Sequence, residues 1–169
     1  MINLWQDKYD RQKAKEYAKK WAYGRNPKYY NFDNLGGDCT NFVSQCIYAG
    51  ADIMNYTKNT GWYYNSINSR SPSWTGVEFL YKFLINNKSV GPRGNKVKIN
   101  EINIGDIAQL SFDGINFTHT LIVVNLGDIP TLDNIYIACH TYDSYNRRIS
   151  SYNFEKIRFM HIEGIWKYI

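Results

Sequence analysis

Cys39, His119, His140 and Asp143 together carry the groups of nucleophilic catalysis: a thiol, two imidazoles and a carboxylate. Cys39 stands in Gly37-Asp38-Cys39-Thr40, just before an apolar run from Asn41 to Ala49 that stops at Gly50. This pattern predicts a thiol at the N-terminus of a buried helix. There the helix dipole and free backbone N–H groups favour thiolate over thiol and can hold a developing oxyanion. Such a nucleophile needs a base, and the two histidines fall where a strand pair can supply one. Pairing symmetric about the loop between Asn125 and Asn134 sets His119 opposite His140 on one face. His119 is then the base and His140 the group that fixes its tautomer. A one-residue slip would put them on opposite faces. Asp143, just past the same strand, is the rival orienter. Asp38, as the helix N-cap, and Gln109, on the strand beside that of His119, are the candidate supporting groups.

Each of these residues also has an ordinary structural reading. Cysteine inside an apolar helix is usually a small core residue, which describes Cys46. Cys139 alternates with His140 and is expected to be buried and inert. His161 has no polar partner in view and reads as structural. Trp62, Tyr63, Tyr64 and Trp74, mixed with Asn, Ser and Pro, read as an exposed or lid-like segment lining a substrate cleft rather than as core.

The elements that must position these groups follow from periodicity. Residues 4–22 read as an amphipathic helix with Ala14, Tyr17, Ala18 and Trp21 on one face. A second helix follows Gly36-Gly37, capped by Asp38 and ended by Gly50, with Phe42, Val43, Cys46 and Ile47 as its buried stripe. Residues 55–75 form an irregular loop or lid, and a third helix spans 75–86. From residue 100 the period becomes that of strands: Ile104 to Phe112, Asn116 to Asn125 and Asn134 to Thr141, with a further strand in Phe159 to Ile169. Helices first and an antiparallel sheet afterwards make the fold α+β.

The 169 residues, 44% of them apolar and 21% charged, suit one folded domain over 1–169 with a sizeable core. The net charge of +5 favours an anionic partner such as a wall polymer. Its one cluster, Lys8 to Lys20, is interleaved with acids and reads as a solvated helix face, so nucleic-acid binding is not expected. No run reaches the length of a membrane span. Three cysteines argue against a disulfide framework, and His119, His140 and His161 are too far apart in sequence for an ordinary metal-ligand pair. No signal-peptide core follows Met1.

Taken together, the chain resembles the family called putative amidase domain, papain-like cell-wall hydrolases related to the NlpC and CHAP enzymes of Gram-positive bacteria. The resemblance is carried by Tyr9-Asp10-Arg11, Ala14, Tyr17-Ala18, Asn26-Pro27, Tyr29 and the decapeptide Gly36 to Gln45. It continues through Trp62-Tyr63-Tyr64, Ser73-Trp74, Gly105-Asp106-Ile107, Thr118-His119 and His140-Thr141. It implies a papain-like fold, Cys39 as nucleophile, His119 as base and His140 as the third polar residue. Ala51 departs from an expected second glycine after Gly50. The expected function is hydrolysis of an amide in peptide-like material, with peptidoglycan peptides the best candidate and no metal or organic cofactor. A secreted or wall-associated monomer is expected, a cytoplasmic location being left open. The alternatives are a wall-binding module that has lost turnover and a transferase that resolves the thioester with an amine.

Overall fold

The computed structural model describes residues 2–169. In chain order the elements are β1 (Leu4–Asp7), α1 (Arg11–Trp21), α2 (Cys39–Ala51), β2 (Tyr64–Ser66), β3 (Ser69–Arg70), α3 (Pro72–Thr75) and α4 (Val77–Asn86). They continue with β4 (Gly91–Val97), β5 (Ile107–Ser111), β6 (His119–Leu126), β7 (Ile135–Cys139), β8 (Ser144–Arg148) and β9 (Lys156–Tyr168). The fold is α+β: an antiparallel sheet in the order β1-β9-β5-β6-β7-β8, with β4 also paired to β9.

The long strand β9 organises this sheet. One edge carries β4; the other carries β5 against residues 156–160 and β1 against 165–168. Between β5 and β1 that edge would be bare. Asp106 accepts from the Ile162 amide at 2.9 Å, and Arg11 donates to the Ile162 carbonyl at 2.6 Å, the two being joined by an ion pair at 2.6 Å. Asp106 also accepts from His161 at 2.7 Å, so His161 has the polar partner its sequence setting did not reveal. Tyr9 donates to the Gly105 carbonyl at 2.9 Å. The Tyr9-Asp10-Arg11 and Gly105-Asp106-Ile107 motifs therefore form one latch, whose groups substitute for a missing strand.

Residues 4–7 are strand, not the start of the first helix. Pairing with β9 satisfies their backbone, and the helix begins only after Asp10, whose carboxylate accepts from the Lys13 amide at 3.0 Å. Gly50 lies within α2 and does not end it; Asp52, in the left-handed region, is the C-cap. Glycine at 50 serves close approach: a Cβ there would meet the Asp10 carbonyl at 2.5 Å and the Tyr9 ring at 2.6 Å.

The segment 55–75 is not a lid. It closes on itself through the Asn55–Trp62 bridge and the β2–β3 hairpin, and its tryptophans point inward. Gly76 splits the third helix into α3 and α4. β4 and β8 lie outside the expected strands because Gly-Pro-Arg-Gly-Asn-Lys-Val and Ser-Tyr-Asn-Arg-Arg lack apolar alternation.

Two apolar layers flank the sheet. The layer under the helices holds Phe42, Val43, Ile47, Trp62, Trp74, Ile122, Val124 and Ala138. The layer on the far face holds Leu110, Leu121, Val123, Ile137 and Cys139, covered by connecting segments that include Ile149 and Tyr152.

Candidate active site

Every polar residue of the Gly36–Gln45 decapeptide that enters the interior finds a partner, as burial requires. Ser44 donates to the Trp74 carbonyl at 2.9 Å and accepts from the Trp62 indole at 3.1 Å. Asn41 accepts from the Trp74 indole at 3.0 Å, and Gln45 from the Tyr17 hydroxyl at 2.7 Å. Trp62 and Trp74 are fully buried, with ring centroids 4.8 Å apart. They are core and do not line a cleft. Tyr64 is buried beside them, and only Tyr63 keeps partial exposure. Composition misled here because the segment mixes buried polar partners, Ser71 and Ser73, with exposed Asn65, Ser66 and Asn68, and composition does not tell the two apart.

Cys39 is the first residue of α2, behind Gly36 and Gly37, which both take left-handed φ values of +83° and +97°. The glycines turn the chain so that the helix starts against the open end of the β6–β7 pair. Beyond Ile122–Ala138 that ladder stops, and α2 lies over its end. The Thr40 hydroxyl bonds the Thr120 hydroxyl at 2.9 Å, and the Cys39 sulfur lies 3.8 Å from the Thr40 oxygen. Burial raises the Cys39 thiol pKa; the facing amides of Thr120 and Thr40 and the Thr40 hydroxyl oppose that rise without cancelling it. The expected preference for thiolate is thus reversed, because desolvation of the charged sulfur outweighs what the helix terminus offers.

His119 immediately precedes Thr120, so residues 39–40 meet residues 119–120. No hydrogen bond joins Cys39 to His119. His119 faces the far layer, opposite Leu110, and lines a cavity of about 600 Å³ with Phe112, Thr141, Arg147 and Tyr152. Burial first, and the Arg147 charge second, lower its pKa to about 4. At neutral pH the imidazole is therefore an uncharged proton acceptor.

His140 does not orient His119. It lies on the helix side of the sheet, stacked on Phe42 with centroids 4.0 Å apart. One ring nitrogen bonds Asp38 and the other the Trp21 carbonyl at 2.9 Å, so neither is left for a second histidine. The cause is a bulge in β6. Asn125 faces Tyr136, but Val123 faces Ile137, so Val124 is an extra residue on one strand. Adding one residue exchanges the two faces. Thr120, not His119, shares the face of His140.

The other expected site residues are also occupied. Asp38 stands at the N-cap position, but its side chain does not cap α2. It accepts from the Phe32 amide at 2.8 Å and from Asn41 at 2.9 Å, and it holds His140. Asp143 pairs with Arg25 at 2.9 Å, away from His119. Gln109 is wholly buried, donating to the Val77 carbonyl at 2.9 Å and accepting from Arg158 at 2.6 Å. It also reaches the Thr120 hydroxyl at 3.3 Å, so it braces the strand rather than offering a donor to a ligand. Arg147 and Tyr152 were missed at the sequence level, since β8 and the turn after it give no apolar period to place them. Among the described residues no group of three or more His, Cys, Asp or Glu side chains is arranged to hold a metal, and no helix is long and apolar enough to cross a membrane.

Comparison with known proteins bears on this arrangement. The chain is 39% identical over 145 residues to the uncharacterized protein YhbB of Bacillus subtilis (strain 168). The match covers 82% of this chain but only 43% of that relative. No solved structure matches. A family model described as "Putative amidase domain" matches residues 8–163. That span takes in the β9 latch, the α2 terminus, His119 and His140, and the chain belongs to this amidase-domain family.

Proposed function

We propose that this domain is a cysteine-dependent amide hydrolase with a papain-like arrangement, acting on peptide amides of the kind found in peptidoglycan. The observation that carries the reading is the meeting of the α2 N-terminus with β6, which sets the Cys39 sulfur against Thr120, the neighbour of His119. Family membership supports amide chemistry.

The electrostatics favour a particular course. With the thiol raised and the imidazole lowered, the resting pair is neutral, and the proton stays on sulfur. Attack on the carbonyl is then coupled to proton transfer: the S–C bond forms as the thiol proton passes to His119. The oxyanion is held by the Cys39 backbone N–H at the helix start. The imidazolium returns its proton to the departing nitrogen as the C–N bond breaks. Water, deprotonated by the same imidazole, then cleaves the thioester and regenerates the thiol. Substrate must draw the two side chains together, since hydrogen bonds absent from a free enzyme often form only in the complex. A secreted or wall-associated location would follow from such a substrate.

The raised thiol and the missing Cys39–His119 hydrogen bond favour a second reading, a module of the same fold that binds wall peptides without turnover. One experiment separates them. Purified Gram-positive peptidoglycan is incubated with wild type and Cys39→Ala, and newly freed amines and soluble fragments are identified by mass spectrometry. Fragments from wild type alone establish the hydrolase. Sedimentation of both proteins with peptidoglycan, without fragments, establishes the binding module.

A further inference from the structure

The cavity beside His119 contains a cation set up for a ligand that the catalytic reading does not use. The Arg147 guanidinium lies over the Tyr152 ring, 3.8 Å from its centroid, and its Nε donates to Ser151 Oγ at 2.8 Å. These two contacts fix the plane of the group. Beyond Ser151, its guanidinium meets only the Tyr152 side chain among the described residues. Unlike Arg11, Arg25 and Arg158, Arg147 meets no carboxylate among the described residues. No Asp or Glu lines the cavity.

The surroundings define what such a fork would receive. Phe112 and Tyr142, both exposed, stand at the cavity wall, and Thr118, Thr141 and Asn153 add neutral donors and acceptors. Thr141 adjoins Gly37, two residues from Cys39: a Cβ on Gly37 would lie 3.9 Å from the Thr141 hydroxyl. The cavity thus holds the cation and His119 together, and its Thr141 wall adjoins the turn that leads into Cys39. A planar guanidinium that meets no carboxylate of its own matches a planar carboxylate bidentately.

We propose that Arg147 is a specificity-determining residue that binds a carboxylate of the peptide substrate, in the cavity it shares with His119. The placement of that carboxylate near a reacting amide rests on the cysteine-hydrolase reading; the carboxylate site itself does not.

The test measures binding without turnover. N-acetyl-dipeptides ending in a free carboxylate, and their carboxamide twins, are titrated by NMR into Cys39→Ala and into Cys39→Ala/Arg147→Gln. In Cys39→Ala the carboxylate peptides bind at least about tenfold more tightly than the carboxamides, the scale of a lost charge-assisted pair. Their shifts centre on His119, Thr141 and Tyr152. Arg147→Gln removes the preference, and Arg147→Lys, which keeps the charge without the fork, retains part of it. Equal affinity for the two peptide series, no detectable binding of either, or a preference that survives Arg147→Gln in a folded variant would each overturn the proposal. Failure of the peptidoglycan digestion with a positive result here would reject the hydrolase and keep the carboxylate site.

Discussion

His119 and His140 stand near the same end of one strand pair, yet their environments are opposites. His140, on the helix side, stacks on Phe42 and has both ring nitrogens bonded, one of them to the buried Asp38 carboxylate. The His119 ring, on the far side, makes no hydrogen bond to the described residues, faces a cavity and is held neutral by burial and by Arg147. An imidazole with every bond satisfied fixes structure. One with a free nitrogen beside open space is available to a substrate. The contrast shifts the proposed assignment from a Cys-His-His triad to a Cys-His pair beside Thr40 and Thr120, with His140 and Asp38 as framework.

The sharpest way to break that contrast is to remove each histidine. If His119 is the base, His119→Ala lowers kcat/KM for peptidoglycan release by roughly 10²–10⁴-fold, and Cys39→Ala leaves no measurable turnover. Neither change should move the urea midpoint far. Comparable activity in His119→Ala would remove His119 from the mechanism. His140→Ala should do the reverse: it takes one partner from the buried Asp38 carboxylate, leaves a cavity against Phe42 and costs about 2–5 kcal/mol in urea unfolding. Trp74→Ala, emptying a core site, should cost a similar amount of about 3–5 kcal/mol.

Acidity distinguishes the two environments further. His119 has a folded pKa of about 4, below the ordinary value of 6.5. Between those values the unfolded chain binds a proton that the native state does not, so stability falls as pH drops from 6.5 to 4. The loss is on the order of 3 kcal/mol at most. It should be absent in His119→Gln, compared by urea titration across that window. The smallest effect belongs to Arg147. Removing its charge in Arg147→Gln should raise the His119 pKa by a fraction of a unit in an NMR titration, burial continuing to supply most of the shift. An unchanged or lower value would show that Arg147 does not face the imidazole.

Much of this arrangement was legible in the sequence, for identifiable reasons. The helix starting at Cys39 and the strands carrying His119 and Cys139 follow from local apolar periods and from glycines. The sheet face of His140 was not legible, because it depends on one extra residue, Val124, in a run where every residue from Leu121 to Val124 is apolar and buried. Such a run carries no alternation from which to count. Trp62 and Trp74 were misplaced for a related reason: their segment carries both buried polar groups, Ser71 and Ser73, and exposed ones, Asn65, Asn68 and Ser69, which composition cannot distinguish. The thiol pKa was misjudged because the sequence shows where a helix starts but not how much of the chain closes over it.

The dominance of β9 has a consequence for how the protein is made. Among the described residues β1 and β4 pair with no other strand, and their partner comes after all the other strands of the sheet. A polypeptide leaving the ribosome from its N-terminal end can assemble the β5–β8 meander early. It must keep Leu4–Asp7 and Gly91–Val97 unpaired until Lys156–Tyr168 emerges. Closure of the sheet is therefore a late, long-range event, of the slow kind that leaves strand edges open to wrong partners in the interval.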